Sequence, residues 1–134
     1  MSVNDMVVTW GPPASFVAEE TINDYDMVMV GTAPNGILKT TGATVRAIGI
    51  VRNGGTVGQN LSVYMVSGFT MLARVAAAVT KGDLVGPIAD GECATVAAHT
   101  TSKLYCGEAL KAATANNDII PIIWKGTQTI VTHA

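Results

Sequence analysis

A chain of 134 residues, 49% of them apolar and only two of them cysteine, is long enough for one domain that buries roughly two-thirds of its unfolded surface without a disulfide framework. Charged residues make up 13% and the formal net charge is −2; this excludes the basic stripe that a nucleic-acid partner requires, and no apolar run approaches the ~20 residues of a membrane-spanning helix. So weakly charged a surface is poorly protected against association, as expected of a protein that works docked on partners.

The chain opens Met1-Ser2-Val3-Asn4-Asp5, without the positive region of a secretory signal, so synthesis in a cytoplasm is expected. Residues 1–16 read as an extended N-terminal arm. In it Trp10 stands beside Gly11-Pro12-Pro13, whose prolines hold Gly11 and Pro12 extended, and Phe16 follows. Two readings stay open: the arm packs back on its own domain, or it reaches a neighbouring subunit, where Trp is a favoured anchor. Residues 17–126 read as a single duplicated β domain. Its apolar or alternating runs, at 27–30, 45–51, 61–66, 84–85, 104–110 and 119–124, are bounded by Gly, Asn, Asp or Thr, the pattern of a sandwich or barrel. Pro34-Asn35-Gly36 and Ala89-Asp90-Gly91 are hairpin signals, and 53–59 and 111–117 read as loops. Residues 71–79 have helix-forming composition, yet their counterpart at 14–22 has no helical period, so a strand is predicted. Pro121 cannot donate to a ladder, which places its strand at a sheet edge or beside a bulge. Residues 127–134 read as a C-terminal strand or tail carrying Ile130 and Val131.

Within the domain the chain is written twice. Residues 22–68 align with 79–126: Asp26 matches Asp83 at an offset of 57, and Gly49 matches Gly107 at an offset of 58, as Ser67-Gly68 matches Lys125-Gly126. Two copies are too few for a solenoid. The expected fold is all-β, a compact β-barrel or sandwich built from two pseudo-equivalent β units, with the N-terminal arm extended from it.

Catalytic, cofactor and metal sites are not expected. The chain has no GxSxG, P-loop, HExxH or Rossmann glycine pattern, and the glycines at 54–58 lack the following helix and lysine of a phosphate cradle. Asp24, Asp26, Asp83 and Asp118 stand beside turn residues, where Asp caps its own backbone, and the equivalence of Asp26 and Asp83 suits scaffold. Glu19-Glu20 read as a solvated patch. His99 and His133 lack zinc-ligand spacing to Cys93 and Cys106. The cysteines read as reduced, half-buried small hydrophobes; alternatively, a hairpin turning at His99-Thr100 would set them directly opposite, within disulfide reach.

The run Val79-Thr80-Lys81-Gly82-Asp83-Leu84-Val85, followed by Asp90-Gly91, by Cys106-Gly107-Glu108-Ala109-Leu110-Lys111-Ala112-Ala113 and by Asn117-Asp118-Ile119-Ile120-Pro121-Ile122, resembles the small capsid decoration (cement) proteins of tailed bacteriophages. The first copy carries a weaker version in Ile48-Gly49-Ile50-Val51 and Gly58-Gln59-Asn60-Leu61-Ser62-Val63. The resemblance spans residues 16–126 and leaves out the Trp10-Pro12-Pro13 arm. It implies a non-enzymatic structural virion protein, a β-barrel on the outer surface of the capsid that stabilises the expanded head. Its partner would be the major capsid protein, and it would act as a homo-oligomer, a trimer being favoured. Cofactors, direct nucleic-acid contact and a membrane play no part in that picture. On this reading Trp10, Pro12, Pro13, Phe16, Ile130 and Val131 are the candidate capsid or subunit contacts. The alternatives are a small-ligand or glycan-binding β-barrel, disfavoured by the few aromatic platforms, and another virion component such as a tail or spike protein.

Overall fold

Ten strands, three to eleven residues long, and no helix are present among the described residues, 8–96 and 104–129, of the computed structural model. They are β1 (Pro13–Ala18), β2 (Met27–Val30), β3 (Gly36–Lys39), β4 (Gly49–Val51), β5 (Asn60–Tyr64), β6 (Thr70–Arg74), β7 (Leu84–Pro87), β8 (Cys93–Thr95), β9 (Leu104–Ala109) and β10 (Ile119–Thr129). The first five close into a barrel, β1-β5-β4-β2-β3, with β3 returning to β1 through the parallel pairs Val17–Gly36 and Ala18–Ile37. The last five repeat that order, β6-β10-β9-β7-β8, and the parallel contact between first and last strand shrinks to one bridge, Val75 to Cys93.

The duplication read in the sequence is therefore a duplication of strand order, and it extends to single bonds. Ile22 bridges Gly55 in one copy and Val79 bridges Ala113 in the other. Tyr25 and Gly82 both take left-handed backbone, φ 67° and 93°. Asp26 accepts from the Asn23 N–H at 2.8 Å, and Asp83 from the Thr80 N–H at 3.0 Å, so each carboxylate caps its own turn.

Period-2 patterning sets the barrel interior. In β5 Leu61 and Val63 point inward while Asn60 and Ser62 face out, and they join Ala18, Ile22, Val28, Ile37 and Val51 in the core of the first copy. Each such Val, Leu or Ile stabilises the fold by about 1.5–3 kcal/mol relative to exposure. β4 and the first half of β2 are buried on both faces: Val28 and Val51 face that core, whereas Met27 and Ile50 join a second cluster with Met71, Val85, Cys106, Ile122 and Trp124. The two copies thus share a wall, which is why β4 reads as an unbroken apolar run.

Several expectations change. The strand predicted from 45 begins only at Gly49, and β3 and β8, too short for a clear pattern, appear as new strands. The strand expected near 71–79 is β6, ending at Arg74. The strand of Pro121 is not at an edge: β10 lies between β6 and β9. Pro121 O accepts from Leu110 N at 2.9 Å, and a residue's N and O share one edge of a strand. The missing donor therefore faces a position just past Ala109, where β9 has ended. The bulge in β10 lies further on, between Trp124 and Gln128. The arm expected over 1–16 belongs to the fold wherever it is described: β1 pairs with β5 from Pro13 to Val17, and residues 1–7 lie outside the described residues.

Candidate functional site

The residues with most of the polar organisation lie at the junction of the two copies and at the tips of two equivalent hairpins. At the junction Arg74, the last residue of β6, reaches back into the first copy. Its Nη2 donates to Asp26 Oδ1 and, at 3.0 Å, to Asp90 O; its Nη1 donates to Asn117 Oδ1 at 3.1 Å and lies 3.4 Å from Glu92 Oε2. Asp26 is fully buried. Burial raises its carboxyl above the ordinary range, and the bonds from Arg74 and the Asn23 N–H pull it partly back. Sequence reasoning missed Arg74. The available signal was a lone cation between Met71-Leu72-Ala73 and Val75, because a charge within a buried strand requires a buried partner.

The second hairpin's tip is held in the same junction. Met27 N donates to Gly91 O at 2.7 Å, Gly91 N to Thr40 O at 3.2 Å, and Thr40 Oγ1 to Ile88 O at 2.8 Å, while Thr41 bridges Ala89. Gly91 has φ 71°, and a Cβ there would stand 2.7 Å from Asp26 Cγ, so only glycine permits the approach.

The first hairpin's tip is organised from its own barrel. Glu19 Oε1 accepts from Thr32 N at 3.1 Å and Thr32 Oγ1 at 2.7 Å, and Oε2 from Ala33 N at 3.0 Å. These bonds, that from Ala33 foremost, hold the Glu19 carboxyl below its ordinary range. Glu20 accepts from Lys39 N at 2.8 Å. Glu19-Glu20 are therefore backbone anchors rather than a solvated patch, a role set by contacts 13 to 19 residues away in sequence.

The candidate contacts separate. Trp10 is buried: its N–H bonds Thr70 O at 2.8 Å, its ring lies 4.9 Å from that of Tyr64 and 6.3 Å from that of Tyr25, and the Arg52 guanidinium sits 5.5 Å over it. Of the two readings of the arm, the structure favours packing back on its own domain. Pro12 and Pro13 are exposed, and Phe16 is half-buried against the first core. Ile130 and Val131 lie outside the described residues.

A groove of about 540 Å³ runs along the junction, lined by Ile22, Asn23, Asp24, Tyr25, Gly54, Arg74 and Ile119. Its ionic groups have partners: Asp24 accepts from Gly54 N at 2.7 Å, and Arg74 is bonded as above. Among the described residues no three His, Cys, Asp or Glu side chains cluster to hold a metal ion. The cysteines do not face each other across a hairpin, because β7 lies between β8 and β9. Both are free and fully buried rather than half-buried. Burial pushes the Cys93 thiol up to about 12 and the Cys106 thiol well above its usual range, so neither is a thiolate at neutral pH.

Fold and surface together define a small all-β structural domain, duplicated, whose best-formed polar clusters hold turns and the junction. The phage cement protein family matches residues 11–123, across both copies, and the chain belongs to that family, whose role is structural and capsid-binding. Among solved structures, the N base of the head fiber gp8.5 of bacteriophage phi29 is similar with a TM-score of 0.69 at 13% identity, covering 90% of this chain and 98% of that one. At that identity the likeness shows a common fold. No curated protein matches.

Proposed function

We propose that the protein binds the outside of an expanded phage head as a homo-oligomer, a trimer, bridging neighbouring major capsid subunits and catalysing no reaction. The observation that carries this is the cement-family match over residues 11–123, which takes in both copies. The physical properties of the chain fit the role. A closed barrel sharing a wall with a second five-stranded sheet makes a sheet-rich, stiff body, a surface with few charges associates readily, and many copies on a lattice multiply individually modest contacts. Pro12 and Pro13 are exposed at the start of β1; together with Ile130 and Val131, which follow the last described residue in sequence, they are proposed as contacts with the capsid or a neighbouring subunit. Trp10 and Phe16 then serve by fixing that segment to the barrel.

Cosedimentation of the purified protein with heads that lack it tests the reading. Saturation at about one copy per major capsid subunit, in multiples of three, is the expected result. Failure to bind, or occupancy confined to a vertex or the tail, would contradict it.

A further inference from the structure

The two hairpin tips hold equivalent places in the two copies and meet opposite fates. Residues 88–92 are tied by Met27, Thr40 and Thr41 of the first copy and by Arg74, with Gly91 buried and Ala89 and Asp90 exposed. Residues 31–35 make no such contact with the second copy among the described residues: Thr32, Ala33, Pro34 and Asn35 are exposed, and Val30 at their base is 68% exposed.

A hairpin tip without a partner is ordinarily mobile. This one is pinned from beneath by Glu19, which accepts two backbone N–H groups and one hydroxyl from Thr32 and Ala33. Gly31 and Gly36 make room for the carboxylate, since a Cβ on either would collide with Glu19 Oε2. The residue equivalent to Glu19 in the second copy is Ala76, so the device belongs to the first copy alone. Residues 30–36, Val-Gly-Thr-Ala-Pro-Asn-Gly, carry no charge. A stiff, partly apolar knob has little ordering cost on binding, and its own residues bring no charge into a contact, the Glu19 carboxylate beneath them being held by three hydrogen bonds. The second copy, in the same molecule, already uses the equivalent tip as a protein-docking element.

We infer that residues 30–35, braced by Glu19, form the knob with which the protein engages the major capsid protein, with Val30, Ala33 and Pro34 entering a shallow uncharged pocket. The inference rests on the capsid-binding reading above and names its contact. The capsid subunit is the fitting occupant because the family binds capsids and because the knob offers neither the cations for phosphate nor the aromatic platform for a glycan.

The test measures the affinity of the full chain for heads that lack it. Val30→Asp and Ala33→Asp each place a charge in the contact and are expected to weaken binding by about tenfold or more, with the melting temperature unchanged. Glu19→Ala leaves the contacting surface intact but frees the tip, and is expected to weaken binding by about three- to tenfold, with Glu19→Gln intermediate. Val57→Asp introduces the same charge at a comparably exposed valine, 66%, elsewhere on the surface, and is expected to bind as the parent protein does. Binding undiminished in the Val30, Ala33 and Glu19 variants would overturn the knob alone, as would an equal loss in Val57→Asp. A parent protein that fails to bind heads would overturn the knob and the proposed function together.

Discussion

Asp26 and Asp83 stand at one position of a frame used twice, and each accepts a hydrogen bond from the N–H three residues before it. Beyond that bond they differ. Asp83 is half-exposed and takes a second bond from Thr95 Oγ1 at 3.0 Å within its own copy. Asp26 is fully buried and takes its second bond from Arg74 of the other copy. The hairpin tips diverge in the same way: one is drawn into the junction by Arg74, the other is braced outward by Glu19. Repetition supplied the turns and strand order, and a few unpaired substitutions turned two like units into one asymmetric object, with one tip tied to the other copy and one braced away from it.

That comparison makes graded demands on stability. Arg74→Ala removes the guanidinium from buried Asp26 and also frees Asp90 O and Asn117. Because it strands a buried carboxylate, the expected loss is about 3–5 kcal/mol by denaturant unfolding; a loss below about 1 kcal/mol would mean that the ion pair does not weld the copies. Gly91→Ala combines left-handed backbone with a contact of 2.7 Å to Asp26, and about 2–4 kcal/mol is expected. Gly58→Ala, where φ is 88° but the space is open, should cost about 1 kcal/mol. Equal effects at the two glycines would show that close approach at the junction matters little. Asp83→Ala loses only exposed turn bonds, for an expected cost of about 1 kcal/mol. An Asp83 effect as large as that of Arg74 would erase the distinction between the copies.

Much of the frame was legible in sequence because it is local. Turn chemistry at Asp26 and Asp83, the hairpin signals at 34–36 and 89–91, and the offset of 57 to 58 residues depend on residues close together in the chain. What escaped depends on tertiary approach. Pro121 signalled an edge, but the rule supposes a neighbour strand that continues, and β9 stops at Ala109. The alternative that set the cysteines opposite each other supposed that consecutive strands pair, whereas β7 inserts between β8 and β9. Glu19 looked solvated because its acceptor role is fixed by a loop more than ten residues away. Trp10 showed its importance but not its direction: an aromatic beside prolines reads alike whether it meets its own Tyr25 and Tyr64 or another chain. Of the candidate contacts among the described residues, Pro12 and Pro13 are exposed, Phe16 is half-buried and Trp10 is buried.

The claim that one hairpin tip is tied to the other copy while its equivalent is braced outward for the capsid is tested most directly by a cryo-EM reconstruction of heads saturated with the protein. The expected map places residues 30–35 of each molecule against the shell, with residues 88–92 bonded to Met27 and Thr40 of the same chain. Density with 30–35 in solvent, turned away from the shell, would contradict the account.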